Sequence, residues 1–196
     1  MSEEIDGILI VHLGSGSTSK ITEIVRQIGF FALERKISEL QPLAPPQALG
    51  YILSGGPHLV TEHKSKPVIN SSLLFLKSIT QPVLGICLGH QLLGLRFGAS
   101  PYKGRSRRGP EKIAVLQGDH PLFQGVPSEC EVAADHTEGI SVPKDFFQLA
   151  SSDFYKNEAM AHKTQPIYGV QFHPEISGEI GFRIISNFCA AIRALK

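Results

Sequence analysis

The chain has 196 residues, 19% of them charged, with 19 lysines and arginines against 18 aspartates and glutamates. The resulting net charge of +1 gives no electrostatic footprint for nucleic acid or an anionic membrane, and no apolar run approaches the length of a membrane span. Cys87, Cys130 and Cys189 are odd in number and widely spaced, which argues against a disulfide framework and for a reducing, cytoplasmic setting.

Residues 1–196 read as one domain long enough for a substantial core. The start is acidic and enters its first apolar run directly, which does not read as a signal peptide. That run, "GILIV" (7–11), predicts a strand buried on both faces, ending at the glycine-rich "HLGSGSTS". Ile21, Ile24, Val25 and Ile28 then fall at helical spacing over 19–29, with Gly29 as the stop. "GYILSGG" (50–56) predicts a second strand running into a glycine turn. A helix over 68–79 follows, with Ile69, Leu73, Leu76 and Ile79 facing inward. "PVLGIC" (82–87) predicts a third strand, feeding a helix over 89–97. Strands alternating with helices imply a mainly parallel sheet with helices on both faces.

Beyond residue 100 the texture changes. "GRSRRGPEK" (104–112), with Arg105, Arg107 and Arg108 clustered, reads as a basic loop. "KIAVLQ", "CEVAADH", "FQLASS", "NEAMAHK" and "PIYGVQF" read as short strands, several pairing as antiparallel hairpins. A terminal helix over roughly 178–194 carries Phe182, Ile185, Phe188 and Ile192 on one face. The fold class is α/β.

Three segments bear chemistry. "GICLG" (85–89) is G-x-C-x-G, the cysteine counterpart of a nucleophile elbow: small residues let the chain turn sharply from strand to helix and expose the middle side chain. The helix N-terminus that follows favours a thiolate at Cys87, and the Leu88 N–H would point where an oxyanion forms. Read alone, the motif fits a buried structural cysteine equally well. A cysteine nucleophile needs a base, and the base an orienter. "YGVQFHPE" ends a strand with His173 and Glu175 two residues apart. If Pro174 keeps the backbone extended, both face one side and Glu175 can fix the His173 tautomer; a surface His–Glu pair is the alternative. His58, His63, His120 and His162 lie in polar, loop-like contexts, and His12 sits in the first glycine-rich turn without an evident role. "YILSGGP" (51–57) is a third turn at a strand's C-terminal end, where sites gather in parallel sheets. It is not a phosphate loop, because no G-K-[ST] follows.

Together, "SGGP", "GICLGHQ" and "GVQFHPE", in this order on such a chain, resemble the class I (triad) glutamine amidotransferases, over nearly the whole length. The resemblance implies a flavodoxin-like sheet, Cys87 as nucleophile, His173 as base and Glu175 as its orienter. It further implies oxyanion-hole amides at Gly56 and Leu88, and Gln91 lining a pocket for L-glutamine. Hydrolysis would proceed through a γ-glutamyl thioester, with no metal or organic cofactor required in this chain. "NEAMAHKTQPIYGVQFHPE" and "LFQGVPSECEVAADHTEGI" are most similar to the free-standing glutaminase subunits of archaeal-type GMP synthases. That match implies Asp135, His136 and Thr137 near the glutamine backbone groups. It also implies a separate ATP-pyrophosphatase subunit, carrying ATP and Mg2+, that turns XMP into GMP, since no S-G-G-x-D-S loop is present here.

The chain departs from that pattern at three places. Asp135 stands where serine is usual, Glu138-Gly139 where Asp-Glu is usual, and "HLGSGST" (12–18) where the first turn is usually D-N-G-G-Q-Y-like. Alternatives are a glutaminase subunit of another synthase (although the R-Y-H-S-L stretch of some is absent), a peptidase or γ-glutamyl hydrolase, and a non-catalytic glutamine-binding regulator. The glycine turn Ser54–Pro57 is expected to have more than one backbone state. Arg105–Lys112 and a His136–Gly139 turn are the candidate partner contacts, a solvated basic loop being the alternative for the first.

Overall fold

The computed structural model describes residues 3–195. Nine strands form one sheet in the order β2-β1-β3-β4-β9-β8-β7-β5-β6. The strands are β1 (Glu4–His12), β2 (Ala32–Lys36), β3 (Gln47–Leu53), β4 (Val83–Ile86), β5 (Pro101–Val115), β6 (Glu129–Ile140), β7 (Phe146–Ser151), β8 (Ala159–His162) and β9 (Ile167–Val170). The β2-β1-β3-β4-β9 half is parallel throughout, in the order of a flavodoxin-like sheet. Strand β9 is the joint: it runs parallel to β4 and antiparallel to β8, and the β8-β7-β5-β6 half is antiparallel.

Four helices, α1 (Thr18–Gln27), α2 (Lys66–Lys77), α3 (Leu88–Arg96) and α4 (Gly178–Arg193), cover both faces. Alternation along β1 sorts them. Ile8 and Ile10 face the α1/α4 side with Ile21, Val25, Ile184 and Phe188. Leu9 and Val11 face the α2/α3 side with Ile69, Phe75 and Leu92. These four β1 residues are fully buried, each worth roughly 1.5–3 kcal/mol of transfer free energy. That is why the run reads as uniformly apolar rather than alternating.

The parallel half follows the sequence expectation, with one strand added. β2, "ALERK", has neither an apolar run nor alternation. It is an edge strand fixed by pairing Ala32 through Lys36 with β1.

The second half corrects it more. "GRSRRGPEK" is not a loop but lies within β5, and His136–Gly139 is not a turn but part of β6. The two strands form a long ribbon with Arg108 opposite Asp135 and Lys103 opposite Glu138. Apart from Arg107, side chains 101–110 of β5 are exposed, so backbone pairing rather than burial makes the strand and no apolar pattern announces it. Phe182 also departs from expectation: it is 37% exposed, while Ile185, Phe188 and Ile192 of α4 are buried. No helix among the described residues is long and apolar enough to cross a membrane.

Candidate active site

At the C-terminal end of β4 the chain turns on Cys87, whose φ of 50° makes it the one non-glycine residue at positive φ among the described residues. Such a conformation costs of order 1–3 kcal/mol and persists only where the surroundings impose it. Here α3 starts at once, at Leu88, and packs so close to the sheet that a Cβ on Gly89 would lie 2.5 Å from the Leu53 carbonyl oxygen. The Cys87 N–H donates to the Val170 carbonyl at 2.9 Å, tying the elbow to β9.

His173 follows β9, and its N–H donates to Ala133 of β6 at 2.8 Å. Its Nδ1 lies 2.8 Å from Glu175 Oε1. The extended geometry expected around Pro174 is not what joins them: Pro174–Ile176 form a single 3-10 turn that folds Glu175 back under the ring.

A second group reaches that carboxylate. Ser17 occupies the N-cap position of α1 but makes no side-chain capping bond. Its hydroxyl donates instead to Glu175 Oε1 at 2.6 Å. Forgoing a cap costs about 1 kcal/mol, so the first turn trades helix stability for orientation of Glu175. Burial lowers the proton affinity of His173, but the hydrogen bonds to Cys87 and Glu175 and the charges of both outweigh it. Its pKa rises to about 10, so the resting imidazole carries a proton beside Cys87.

Gly55 and Gly56 form the opposite wall. The Gly55 carbonyl accepts from the Ser15 N–H at 3.1 Å and the Ser54 hydroxyl at 2.8 Å. Because the peptide is planar and trans, the Gly56 N–H is pinned to the other edge of the same unit. The multiple backbone states expected of this turn are thus opposed by two hydrogen bonds. Neither glycine tolerates a side chain: a Cβ would lie 2.8 Å from the His173 ring at Gly55 and 2.2 Å from the Leu13 carbonyl oxygen at Gly56.

A cavity of about 310 Å³ opens beside Cys87, within the size range of small-molecule sites. Gly56, Leu88, Gln91, Asp135, His136 and Thr137 all line it with Cys87, together with Arg108, Glu138 and His58, while His173 and Glu175 lie outside its lining. His58 is therefore not merely a solvated loop residue. Gln91 Nε2 is already committed, donating to the Glu138 carbonyl at 2.9 Å and to Gln171 Oε1 at 3.1 Å. Gln171 Nε2 in turn lies 3.8 Å from Cys87 Sγ. His136 is buried, and burial above all lowers its pKa to about 4, leaving a neutral ring whose Nδ1 is 3.3 Å from the Glu138 carbonyl. The Asp135 carboxylate projects outward and meets Arg108 Nε at 3.3 Å, both side chains well exposed. The buried Glu138 carboxylate accepts from the Val60 N–H at 2.6 Å and from both the N–H and hydroxyl of Thr61, strapping the segment after Gly56 to β6.

Sequence reading missed Ser15, Ser17, Gly55, Arg108, Glu138 and Gln171 as contributors. Gln171 had a signal, two residues before His173 in "GVQFHPE". Ser17 had none, because 158 residues separate it from Glu175.

The family described as glutamine amidotransferase class-I matches residues 10–192. Over 188 residues the chain is 37% identical to one subunit of the glutamine-hydrolyzing GMP synthase of Methanocaldococcus jannaschii, covering 92% of this chain and 96% of that one. It is 32% identical to a GMP synthase (glutamine-hydrolyzing) of Thermosipho melanesiensis, covering 96% of this chain and 36% of that longer protein. A crystal structure from Thermoplasma acidophilum, of a protein assigned provisionally as the same GMP synthase subunit, superposes with a TM-score of 0.82. Its sequence identity is 32%, and the match covers 100% of this chain and 98% of that one.

Proposed function

The chain belongs to the class I glutamine amidotransferases, and from that premise we propose that it hydrolyses L-glutamine to glutamate and ammonia through a thioester on Cys87. The observation that carries the reading is the strained placement of Cys87 in a cavity shared with Gly56 and Leu88, beside a His173 whose far nitrogen rests on Glu175.

Cys87 Sγ attacks the side-chain carboxamide carbon, and the resulting oxyanion is met by the Gly56 and Leu88 N–H groups. His173 gives its proton to the leaving nitrogen, the C–N bond breaks and ammonia departs. Once the sulfur is acylated it no longer supports the His173 proton, and burial, the largest influence on that ring, favours the neutral form. The neutral imidazole then takes a proton from water, whose oxygen attacks the thioester. The C–S bond breaks to release glutamate, and the Cys87 thiolate and His173 imidazolium are restored.

Recognition of the amino-acid end falls to β5 and β6. Glutamine carries an α-carboxylate and an α-ammonium side by side. Arg108 and Asp135, paired at 3.3 Å at the cavity wall, present the complementary charges side by side. The departure from serine at Asp135 then supplies a direct partner for the ammonium group.

The ammonia is delivered to a separate ATP-pyrophosphatase subunit that converts XMP to GMP in the cytoplasm, with ATP and Mg2+ held by that subunit and no cofactor needed here for hydrolysis. Support comes from the relatives that are single subunits of GMP synthases and from the match to only 36% of the longer Thermosipho protein.

The test mixes this chain with such a synthetase partner, XMP, ATP and Mg2+. Cys87→Ala should form no GMP from glutamine while ammonium-dependent GMP formation is unchanged. Persistent glutamine hydrolysis in the variant overturns the mechanism. Glutamine hydrolysis by the wild type without GMP formation overturns the acceptor.

A further inference from the structure

Behind the cavity wall lies a buried polar cluster that the reaction does not use. Glu111 of β5, His136 of β6 and Glu158, just before β8, are 3%, 7% and 1% exposed. One ring nitrogen of His136 and one carboxylate oxygen from each glutamate lie within 4.8 Å of one another. We propose that Glu111, His136 and Glu158 form a binding site for a divalent transition-metal ion, with one imidazole and two carboxylates as ligands.

Each of the three is anchored through one atom, leaving another for the ion. Arg107 Nε donates to Glu111 Oε2 at 2.9 Å, the Ser152 hydroxyl donates to Glu158 Oε1 at 2.8 Å, and His136 Nδ1 faces the Glu138 carbonyl at 3.3 Å. Glu111 Oε1 and His136 Nε2 remain buried without a hydrogen-bond partner among the described residues. Orphaned polar atoms in an interior are costly and call for a partner. A histidine whose second nitrogen is held by a backbone carbonyl, beside carboxylates held by their own donors, is the outer-shell pattern that orients metal ligands.

Charge points the same way. Two buried carboxyl groups face one guanidinium, Arg107, so a cation in place of a proton would balance the second of them. The donors are nitrogen and oxygen without sulfur, which suits ions such as Mn2+ or Zn2+ rather than soft Cu+. His136 also lines the cavity beside Cys87, which supplies an entry path. The ion would cross-link β5, β6 and the segment before β8, fixing the strand that carries Asp135 and Thr137. It takes no part in the thioester chemistry.

The experiment uses Mn2+, because Cys87 with His173 would compete for Zn2+. The chelator-stripped full chain is titrated with Mn2+ while free ion is followed by electron paramagnetic resonance. One ion per chain is expected. Glu111→Gln and Glu158→Gln should each weaken binding by about tenfold or more, and Glu179→Gln, exposed at the start of α4, should not. On the wild type, Mn2+ should broaden the His136 ring resonances before those of any other histidine, a readout that needs no variant to fold. Absence of stoichiometric binding, binding undiminished in both cluster variants, or broadening that begins at another histidine overturns the site. The readouts are ion binding alone, so such a failure leaves the glutaminase reading standing, and loss of glutaminase activity does not touch the site.

Discussion

In the parallel half of the sheet, β3 and β4 deliver Gly56 and Cys87 by backbone shape: a positive φ at the nucleophile, a peptide pinned by Ser15 and Ser54, and glycines with no room for a methyl group. In the antiparallel half, β5 and β6 deliver Arg108, Asp135 and Glu138 by side-chain charge, through pairings fixed by strand register. Backbone placement tolerates almost no substitution, because the geometry is the function. Charge placement tolerates exchange at a graded cost. On the proposed mechanism, reaction and recognition are thus built from different materials on one sheet.

The sharpest break lies at the joint, where β9 hands His173 and Glu175 to the parallel half. Glu175→Gln keeps the shape of the side chain but removes the charge that holds the His173 proton. A loss of about 1,000- to 10,000-fold in kcat is expected, as for other triads that lose their orienting carboxylate, with little change in KM. The sign of the pH effect follows from the causes. Burial lowers the His173 pKa while Cys87 and Glu175 raise it to about 10, so the proton needed by the leaving nitrogen is present across neutral pH and lost on passing about 10. Without Glu175 the balance tips toward burial, and the alkaline fall of kcat/KM moves toward neutrality. A variant whose alkaline limb stays in place shows that Glu175 does not support the His173 proton.

The next break is within the backbone half. Gly56→Ala places a methyl group against the Leu13 carbonyl and must rotate the peptide whose N–H meets the oxyanion. Loss of one such donor typically costs about 100- to 1,000-fold in kcat. The same overlap with backbone costs stability, so the thermal midpoint should fall as well. Steady-state kinetics beside thermal unfolding separates the two effects, and a variant of near-normal kcat removes Gly56 from the oxyanion hole.

The same divide explains what the sequence disclosed. The elbow at Cys87, the strand-to-turn at Ser54–Pro57 and the His-Pro-Glu run are local: glycines flanking a nucleophile, or two groups two residues apart, imply their own geometry. β1, β3, β4 and the helices were legible for a related reason, since burial on two faces leaves long apolar runs and burial on one leaves helical spacing. β5 was not legible, because its first ten residues, all but Arg107 with exposed side chains, are held by ladder pairing on either side of a register break at 104–106. The contacts that depend on distant register escaped with it, among them Ser17 on Glu175, Arg108 on Asp135, and Glu138 on Val60 and Thr61. Even the His173–Glu175 contact was reached through the wrong conformation, an extended chain in place of a 3-10 turn.

Smaller effects are expected where charge does the placing. Arg108→Ala or Asp135→Ser removes one half of the pair assigned to the α-carboxylate and α-ammonium of glutamine. Hydrogen bonds to charged groups are worth about 1.5–3 kcal/mol, so KM should rise by about 10- to 100-fold with kcat nearly unchanged. Stability should barely move, since an exposed ion pair contributes about 0–1 kcal/mol. A glutamine analogue lacking the α-amino group should lose its disadvantage in Asp135→Ser. If it remains as poor a substrate relative to glutamine as in the wild type, Asp135 is not the ammonium partner.

The smallest effect belongs to the outer ribbon, farthest from backbone control. The expectation that Arg107 offers a free charge to a partner does not fit its environment. It bonds Glu111 at 2.9 Å and lies 4.0 Å from the centre of the Phe154 ring, so its charge is spent within the chain. Lys103 and Arg105 are exposed on β5. Arg105 lies 5.3 Å from the centre of the Phe154 ring and has, among the described residues, no carboxylate partner of the kind that holds Arg107. Both face outward to meet an acidic surface on the proposed synthetase partner. Reversing both, Lys103→Glu with Arg105→Glu, should weaken activation by the partner by about three- to tenfold at low salt, chiefly through slower association. The difference should shrink as ionic strength rises and exposed charges are screened. Hydrolysis of glutamine by the isolated chain should stay unchanged, because neither side chain lines the cavity. An altered basal rate would mean that the ribbon acts on the site from within, through the strand β6 that it shares with Asp135. Unaltered activation at low salt would place the partner elsewhere, and charge on this half of the sheet would then serve the substrate alone.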